Sequence, residues 1–291
     1  MRLVRGLKAG LLLFPLALLG TAVACAPLKT FDTLVPKDSA GTRVASGIAY
    51  GEGPRRKLDV YAPRDSAAGR PVVVFFYGGS WNSGSRSGYA FVGRALAARG
   101  FVAIIPDYRL VPEVRYPGFV EDGARAVLWA RDHAADYGGD PERIVLAGHS
   151  AGAYIAAILA TDDRWLGAEH ARLKGLVGLA GPYDFAPFDV ASSQAAFGQW
   201  PHPAETQPVT WAGAGDPPAL LLTGADDDTV KPRNSEALAA HLRQAGVEAD
   251  HISYPGVGHV GILLSLARPF RGRAPSLDAM AAFVDRVTAG R

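Results

Sequence analysis

Residues 144–161 read IVLAGHSAGAYIAAILAT and place a Gly-x-Ser-x-Gly motif, Gly148–Gly152, between two apolar segments. The first segment, Ile144–Ala147, is short and has no polar face, which is typical of a buried strand. The second segment, Ala151–Thr161, is long enough for a helix. A serine on a tight strand-to-helix turn projects its hydroxyl from the end of a sheet, and the flanking glycines relieve crowding there. The motif therefore predicts a nucleophile at Ser150.

Further apolar runs occur along the chain, separated by segments with helical periodicity. The predicted strands are Val44–Tyr50, Leu58–Tyr61, Pro71–Tyr77, Phe101–Ile105, Leu176–Leu179, Ala219–Leu222 and Ile252–Tyr254. The predicted helices are Ser87–Arg99, Phe119–Ala135, Ser235–Gln244 and Ser276–Val287. This alternation predicts one α/β domain over residues 44–291, with a mostly parallel central sheet, helices on both faces and an antiparallel start.

Residues 1–24 have the features of a secretory signal peptide: a basic leader, the apolar run Ala9–Gly20 and small residues at Ala22–Ala24. Cys25, the only cysteine, follows the cleavage position and ends a stretch that resembles a bacterial lipoprotein box. We expect an exported protein that an acylated Cys25 attaches to a membrane, as a periplasmic or outer-membrane lipoprotein. Plain cleavage and soluble secretion are the alternative. Residues 25–43 are predicted to be a polar tether.

The charge of the chain argues against a nucleic-acid partner. The formal net charge is +2, but Arg2, Arg5 and Lys8 lie in the signal segment. Without them 27 basic residues face 28 acidic ones, which gives a phosphate backbone little to bind. The sequence has no zinc-ligand spacing, phosphate loop or dinucleotide fingerprint, so we expect no metal and no cofactor.

A serine nucleophile needs a base, and His259 is the best placed of the seven histidines. It follows the predicted strand Ile252–Tyr254 across a Pro-Gly-Val-Gly turn, and loops at strand ends are where open α/β sheets carry their sites. His149, inside the motif, is expected to point away from Ser150. The other five are assigned to helices, to a strand or to loops: His133, His170, His202, His241 and His251.

The acid is expected between Ser150 and His259, because hydrolases with this motif run nucleophile, acid, base along the chain. Three adjacent carboxylates follow the apolar strand Ala219–Leu222 and leave the choice among them open: Asp226, Asp227 and Asp228. The rival candidates are Asp184 and Asp107, of which Asp107 is expected to pair with Arg109.

The segment Tyr77–Trp81 reads YGGSW and directly follows the central predicted strand. Glycines at this position let bare backbone N–H groups approach a ligand. Together with the N–H of Ala151 they could stabilise the oxyanion of a tetrahedral intermediate, at about 3 kcal/mol per donor.

Four segments together resemble the α/β-hydrolases of the esterase, arylformamidase and isoprenylcysteine methylesterase type. They are FYGGSW, IIPDYRLVPEVRYP, YGGDPERIVLAGHSAG, and GADDDTV followed by YPGVGH. The resemblance implies an α/β-hydrolase fold, Ser150 as nucleophile and Asp227 and His259 as its partners. It also implies backbone oxyanion donors from three residues, namely Gly79, Ser80 and Ala151. Tyr77 departs from the pattern, because many relatives have histidine there.

We therefore expect a serine hydrolase that cleaves small acyl or aryl carboxylic esters without a cofactor. The alternatives are an arylformamidase or other amidase, since the same triad cleaves both bonds, and a catalytically silent surface lipoprotein. The irregular stretch Pro182–Pro218 is predicted to be a small cap beside a pocket, or else plain packing. Eight aromatic residues near the catalytic loops are expected to line that pocket: Tyr77, Trp81, Tyr89, Phe91, Phe188, Phe197, Trp200 and Trp211.

Overall fold

The apolar runs of the sequence form an eight-stranded sheet in the computed structural model, which describes residues 26–65 and 67–290. The strands are β1 (Gly41–Ala49), β2 (Lys57–Pro63), β3 (Arg70–Phe76), β4 (Val102–Pro106), β5 (Gly139–His149), β6 (Gly175–Leu179), β7 (Ala219–Gly224) and β8 (Ala249–Tyr254). Their order is β1-β2-β4-β3-β5-β6-β7-β8. The pairs β1/β2 and β2/β4 are antiparallel and the remaining pairs are parallel, as the sequence predicts.

Helices connect the strands and cover the sheet. They are α1 (Ala26–Leu34), α2 (Ala90–Ala98), α3 (Gly118–His133), α4 (Ala151–Thr161), α5 (Ala191–Phe197), α6 (Pro208–Trp211), α7 (Arg233–Gln244), α8 (His259–Leu264) and α9 (Ser276–Thr288). Every residue of α4 is buried, which explains why that helix is apolar on all sides. The α/β-hydrolase architecture predicted from the sequence is confirmed.

The centre of the sheet is its most apolar part. In β3 the run from Val72 to Phe76 is completely buried, and it pairs in parallel with β4 on one side and β5 on the other. A parallel strand covered on both faces needs no polar side, so an uninterrupted apolar run is the sequence that this position selects. The strand pair β3/β5 therefore forms a rigid support for the loops at its carboxyl end.

The N-terminal segment differs from the polar tether predicted over residues 25–43. Residues 26–34 form the helix α1, and β1 already begins at Gly41. Phe31 packs edge-on against Phe91 of α2, with ring centroids 5.3 Å apart, and the buried Asp32 accepts a hydrogen bond from the Phe91 backbone N–H. The tether prediction is wrong because an apolar face of α1 packs against α2, and this contact joins residues that are distant in the sequence. The signal peptide and Cys25 lie outside the described residues.

Buried carboxylates tie the antiparallel side of the fold together. Arg86 donates from Nε to Asp59 and also contacts Asp107, whereas Arg109 binds Asp122 at 2.8 Å. The expected pair of Asp107 with Arg109 is therefore wrong. Each of these carboxylates is buried, so an unpaired charge there would be costly and the arginines satisfy it.

The predicted cap, Pro182–Pro218, contains α5, a 3-10 turn at Pro203–Thr206 and α6. Phe197 of α5 is completely buried against Trp81, with centroids 4.8 Å apart, so part of the segment belongs to the core. Within residues 26–65 and 67–290 none of the helices has both the length and the apolar character needed to cross a bilayer.

Gly93 of α2 offers a test of the packing between this helix and the sheet. A Cβ there would lie 2.4 Å from the ring of Tyr61 in β2, which is fully buried and has no room to move. Gly93→Ala should therefore lower the free energy of unfolding by roughly 1–3 kcal/mol through overpacking.

The matched control is Gly215→Ala, because a Cβ at Gly215 meets nothing within 4 Å. Urea unfolding followed by circular dichroism compares the two variants. Equal stabilities for both would contradict the tight α2–β2 contact.

Candidate active site

Four loops that follow strands of the parallel sheet meet at its carboxyl edge. Ser150 comes directly after β5, Asp227 lies on the loop after β7, and His259 lies on the loop after β8. Gly79 and Ser80 follow β3, the neighbour of β5 in the sheet. In open α/β sheets this edge is where ligands bind, because the loops there converge while the strands hold their ends in place.

The turn at Ser150 has the strained geometry that the motif predicts. Ser150 has φ 55° and ψ −125°, a region that side chains with a Cβ rarely occupy. Its N–H donates to the Leu179 carbonyl at 2.9 Å. A Cβ at Gly152 would lie 2.2 Å from the Phe76 carbonyl, and one at Gly148 would lie 2.4 Å from Gly152. The two glycines are therefore required for the close approach of strand and helix.

The His259 ring bridges the other two side chains. Its Nε2 lies 2.9 Å from Ser150 Oγ, and its Nδ1 lies 2.8 Å from Asp227 Oδ2. The carboxylate accepts from Nδ1–H, which leaves the Nε2 lone pair to accept from the serine hydroxyl. The structure thus brings together the three residues that the resemblance implied, in the order that proton transfer from Ser150 requires.

Asp227 is held as a carboxylate by its hydrogen bonds. Although burial alone would raise the pKa of its side chain, the bonds from His259, Val230 and Thr229 outweigh burial and lower that pKa below the usual 3.8. The Thr229 and Val230 N–H groups donate to Oδ1 at 3.0 and 2.8 Å, which leaves Oδ2 for the histidine. The carboxylate is therefore ionised and oriented at neutral pH.

The acid and base loops are joined by their backbones. Asp226 N–H donates to the Val257 carbonyl at 3.0 Å, and Ala225 N–H donates to the Tyr254 carbonyl at 2.9 Å. A Cβ at Gly224 would lie only 2.0 Å from the Val257 carbonyl, so the loops touch where Gly224 leaves room. These contacts fix Asp227 and His259 relative to each other before any side chain is considered.

The loop after β3 presents backbone donors beside the serine. Gly79 has φ 135° and a Cβ there would lie 2.3 Å from the Ser83 carbonyl, so only glycine fits. Ser80 has φ 51°. Within the part of the chain that the structure describes, no protein group accepts from the N–H groups of Gly79, Ser80 or Ala151. These three donors remain free for a ligand.

Tyr77, the residue that departs from the pattern of the resemblance, is held in place by its neighbours. Its hydroxyl accepts from Arg55 Nη2 at 2.7 Å, and its ring stacks on Tyr108 at a centroid distance of 4.6 Å. The Tyr108 hydroxyl donates to the Tyr77 carbonyl at 2.7 Å, while Gly78 N–H donates to the Tyr89 hydroxyl. Arg55 and the three tyrosines thus fix the position of the loop after β3.

Two clefts open at Ser150. The helix-side cleft, of about 460 Å³, is lined by residues that include Leu28, Phe31, Tyr89, His149, His259 and Leu263. The cap-side cleft, of about 370 Å³, is lined by residues that include Trp81, Ala151, Phe185, Val190, Lys231 and Arg233. Both clefts also contain Ser80, Ser150 and Thr229, so they meet at the nucleophile.

The remaining sequence candidates lie elsewhere. Asp226, Asp228 and Asp184 are exposed, in contrast to Asp227, which is 3% exposed. The His149 ring, expected to point away from Ser150, lies against His259. Of the eight aromatic residues expected to line a pocket, Trp81 and Tyr89 do so. Within the described ranges no cluster of three or more His, Cys, Asp or Glu side chains could hold a metal ion.

The sheet topology defines an α/β-hydrolase fold, and Ser150, His259 and Asp227 meet at its carboxyl edge. The chain belongs to the BD-FAE family, whose model matches residues 58–242. It is 31% identical over 256 residues to the rice protein named "Probable isoprenylcysteine alpha-carbonyl methylesterase ICMEL1" (79% of this chain, 60% of the relative). It is 30% identical over 245 residues to Esterase LipC of Mycobacterium tuberculosis (76% and 59%). The chain thus spans about 60% of the length of these relatives.

Solved structures show the same fold. A truncated carbohydrate esterase from gut microbiota superposes with a TM-score of 0.77 at 21% identity, covering 88% of this chain and all of that one. EstE1, a carboxylesterase cloned from a metagenomic library, superposes with a TM-score of 0.73 at 24% identity, covering 90% of this chain and 94% of its own. The predicted membership among esterase-type α/β-hydrolases is confirmed.

The lowered pKa of Asp227 implies that the stability of the fold depends on pH. Because the folded-state pKa lies below the unfolded value, ionisation of this carboxyl stabilises the fold above about pH 4, and the stabilisation is lost as the pH falls through the folded pKa. Asp227→Asn should cost about 1–2 kcal/mol in the free energy of unfolding at pH 7, and the gap to wild type should narrow below about pH 4.

The neighbours provide matched controls, since Asp226 and Asp228 are exposed carboxylates on the same loop. Asp226→Asn and Asp228→Asn should unfold like the wild type, within about 0.5 kcal/mol, at every pH. Urea titrations between pH 3 and pH 8 measure all three. A pH-independent gap for Asp227→Asn would show that its carboxylate is not the stabilised form.

Proposed function

We propose that the protein is a serine hydrolase that cleaves carboxylic esters through an acyl-enzyme on Ser150. The observation that carries the proposal is the His259 ring, placed between Ser150 Oγ at 2.9 Å and Asp227 Oδ2 at 2.8 Å. A serine hydroxyl is a weak nucleophile until a base takes its proton, and this ring is positioned to take it.

In the proposed acylation step Ser150 Oγ attacks the ester carbonyl while His259 Nε2 accepts the hydroxyl proton. The resulting imidazolium is stabilised by the Asp227 carboxylate at Nδ1. Negative charge develops on the former carbonyl oxygen. The free N–H groups of Gly79, Ser80 and Ala151 supply the donors for that oxygen.

The second half of the cycle returns the proton. His259 protonates the departing alcohol oxygen, which leaves the acyl group on Ser150. Water then attacks the acyl carbon with His259 as the base, and the carboxylic acid departs as the Ser150 hydroxyl is restored. Each of these steps uses residues that the structure holds at the carboxyl edge of the sheet.

The residues that line the two clefts support a placement of the two sides of the ester. Because His259 protonates the alcohol oxygen and lines the helix-side cleft, the alcohol side belongs in that cleft, against Leu28 and Phe31. The acyl side then belongs in the cap-side cleft, next to Ala151 and Trp81. Volumes of about 460 and 370 Å³ lie in the range of small-molecule pockets, so each cleft has room for an acyl or aryl group. The names of the relatives, a methylesterase and esterases, agree with an ester substrate.

We also propose that the protein is exported and attached to a membrane through an acylated Cys25. The support is the sequence of residues 1–25, with its basic leader, its apolar run and a single cysteine after the small residues. Helix α1 begins at Ala26 and contributes Leu28 and Phe31 to the helix-side cleft. An anchor at Cys25 would therefore hold this cleft close to the membrane surface.

Ser150→Ala and His259→Ala test the proposed mechanism. Each should lower the turnover of p-nitrophenyl esters by more than roughly a thousandfold while the protein remains folded, because triad losses are of that size. Steady-state rates on acyl chains of increasing length, with N-formylkynurenine beside them, measure activity and the choice between ester and formamide. Thermal melts supply the folding control. If a variant retained more than about a tenth of the wild-type rate, the substituted residue would not have the catalytic role proposed for it.

Cys25→Ser tests the anchor. An acylated protein should partition into the detergent and membrane fractions, and the variant should move to the soluble pool, because it lacks the thiol that carries the lipid. Intact mass of the purified wild type measures the lipid directly. A mature protein that begins at Cys25 without added mass would leave soluble secretion as the explanation.

A further inference from the structure

His149 precedes the nucleophile and contacts the base. Its imidazole ring lies with its centroid 4.9 Å from that of His259, and the planes are tilted by 42°. Its Nε2 is 3.0 Å from the main-chain carbonyl oxygen of His259. The residue is 5% exposed, so this contact is made away from water.

The contact fixes the protonation state of His149. A carbonyl oxygen only accepts, so Nε2 carries the hydrogen and Nδ1 carries a lone pair. Within the described chain Nδ1 is buried and has no hydrogen-bond partner. Burial, with the neighbouring His259 as a second cause, lowers the pKa of His149 to about 3. The ring is therefore a neutral donor at neutral pH.

Three parts of the site meet at this ring. A Cβ at Gly78 would lie 2.9 Å from His149 Nδ1 and 3.0 Å from Ser150 Cβ, so the loop after β3 leaves space for the ring only because Gly78 is glycine. His149 thus contacts the base loop on one side and the oxyanion loop on the other. A side chain that only filled space would need neither a hydrogen-bond donor nor the close approach of Gly78 to its ring.

We propose that His149 is a positioning residue whose Nε2–H bond to the His259 carbonyl holds the main chain of the base, and so keeps the His259 ring on Ser150. The bond acts on the residue that begins the short helix α8, directly after a turn that contains Gly256 and Gly258. Asp227 and Ser150 form hydrogen bonds to the ring, whereas His149 bonds to the main chain of His259. The kinetic part of this proposal depends on the proposed esterase function.

The neutral state of His149 also helps to keep the His259 ring on Ser150. When His259 takes the serine proton it becomes a cation, and a second cation at His149 would oppose that charge at close range. The titratable groups beside His149 are His259 and Asp227, and the neutral ring of His149 adds no charge to theirs. A histidine held neutral therefore provides a donor without adding repulsion.

Three substitutions separate positioning from packing. His149→Gln places an amide N–H near the position of Nε2, His149→Asn carries an amide that is too short to reach the carbonyl, and His149→Met fills the space without a donor. Loss of the bond should lower kcat about 10- to 100-fold in the Met and Asn variants, since a small misplacement of a catalytic group costs that much. KM should stay within about threefold, and His149→Gln should recover most of kcat.

A second measurement does not depend on turnover. The proton shared by His259 Nδ1 and Asp227 gives a downfield NMR resonance, which the Asp227→Asn variant assigns by its absence. The resonance should persist in wild type and in His149→Gln and should shift or broaden in His149→Met and His149→Asn. If the Met variant does not fold, the Asn variant provides the comparison. Labelling of Ser150 by a p-nitrophenyl phosphonate counts the folded sites.

The outcomes are distinct. A wild type that hydrolyses no ester, with a resonance that responds to the Met and Asn variants, would overturn the esterase proposal and support the positioning role. Wild-type kcat and an unchanged resonance in His149→Met would overturn the positioning role. A Gln variant as impaired as the Met variant would also overturn it, because the donor would then not be what matters.

Discussion

The close approach of β3 to the start of α4 is the constraint on which the site depends. Gly152 lies against the Phe76 carbonyl with no room for a Cβ, and Ser150 is held at φ 55° beside it. A backbone residue in that region costs of order 1–3 kcal/mol and persists only where the surroundings over-determine it. Here the fully buried α4 and the apolar strand β3 do so. Ser150 and the free N–H groups of Gly79 and Ser80 therefore form one rigid unit, built on the neighbouring strands β5 and β3.

The acid and the base form a second unit that is built differently. Their loops follow β7 and β8 and are joined by backbone hydrogen bonds from Ala225 and Asp226 to the loop that carries His259. The His259 ring then crosses from this unit to Ser150. Each unit is fixed internally by backbone contacts, so the placement of one unit relative to the other depends on few side-chain hydrogen bonds. The bond from His149 to the His259 carbonyl is one of them, and we therefore expect its loss to affect the site.

The sequence predicts those parts of the fold and site that depend on local pattern. The apolar runs gave the strands, the Gly-x-Ser-x-Gly motif placed Ser150 at a strand end, and the Gly-containing turn singled out His259. Local pattern could not choose among three adjacent aspartates, since the choice depends on the Thr229 and Val230 N–H groups that turn one carboxylate inward. Local pattern also could not predict that α1 lines the helix-side cleft, because Phe31 and Phe91 come into contact only in the folded protein.

Burial and hydrogen bonding together set the protonation states of the groups around the site. The pKa of Tyr77, Tyr89 and Tyr108 is raised by burial, so the hydroxyls that hold the oxyanion loop stay protonated. The pKa of Asp227 is lowered, so that side chain stays ionised. His149 stays neutral because burial lowers its pKa to about 3. In the proposed mechanism His259 Nε2 takes the proton that leaves Ser150. Because the groups around it keep their charge across neutral pH, none of them would compete with His259 for that proton.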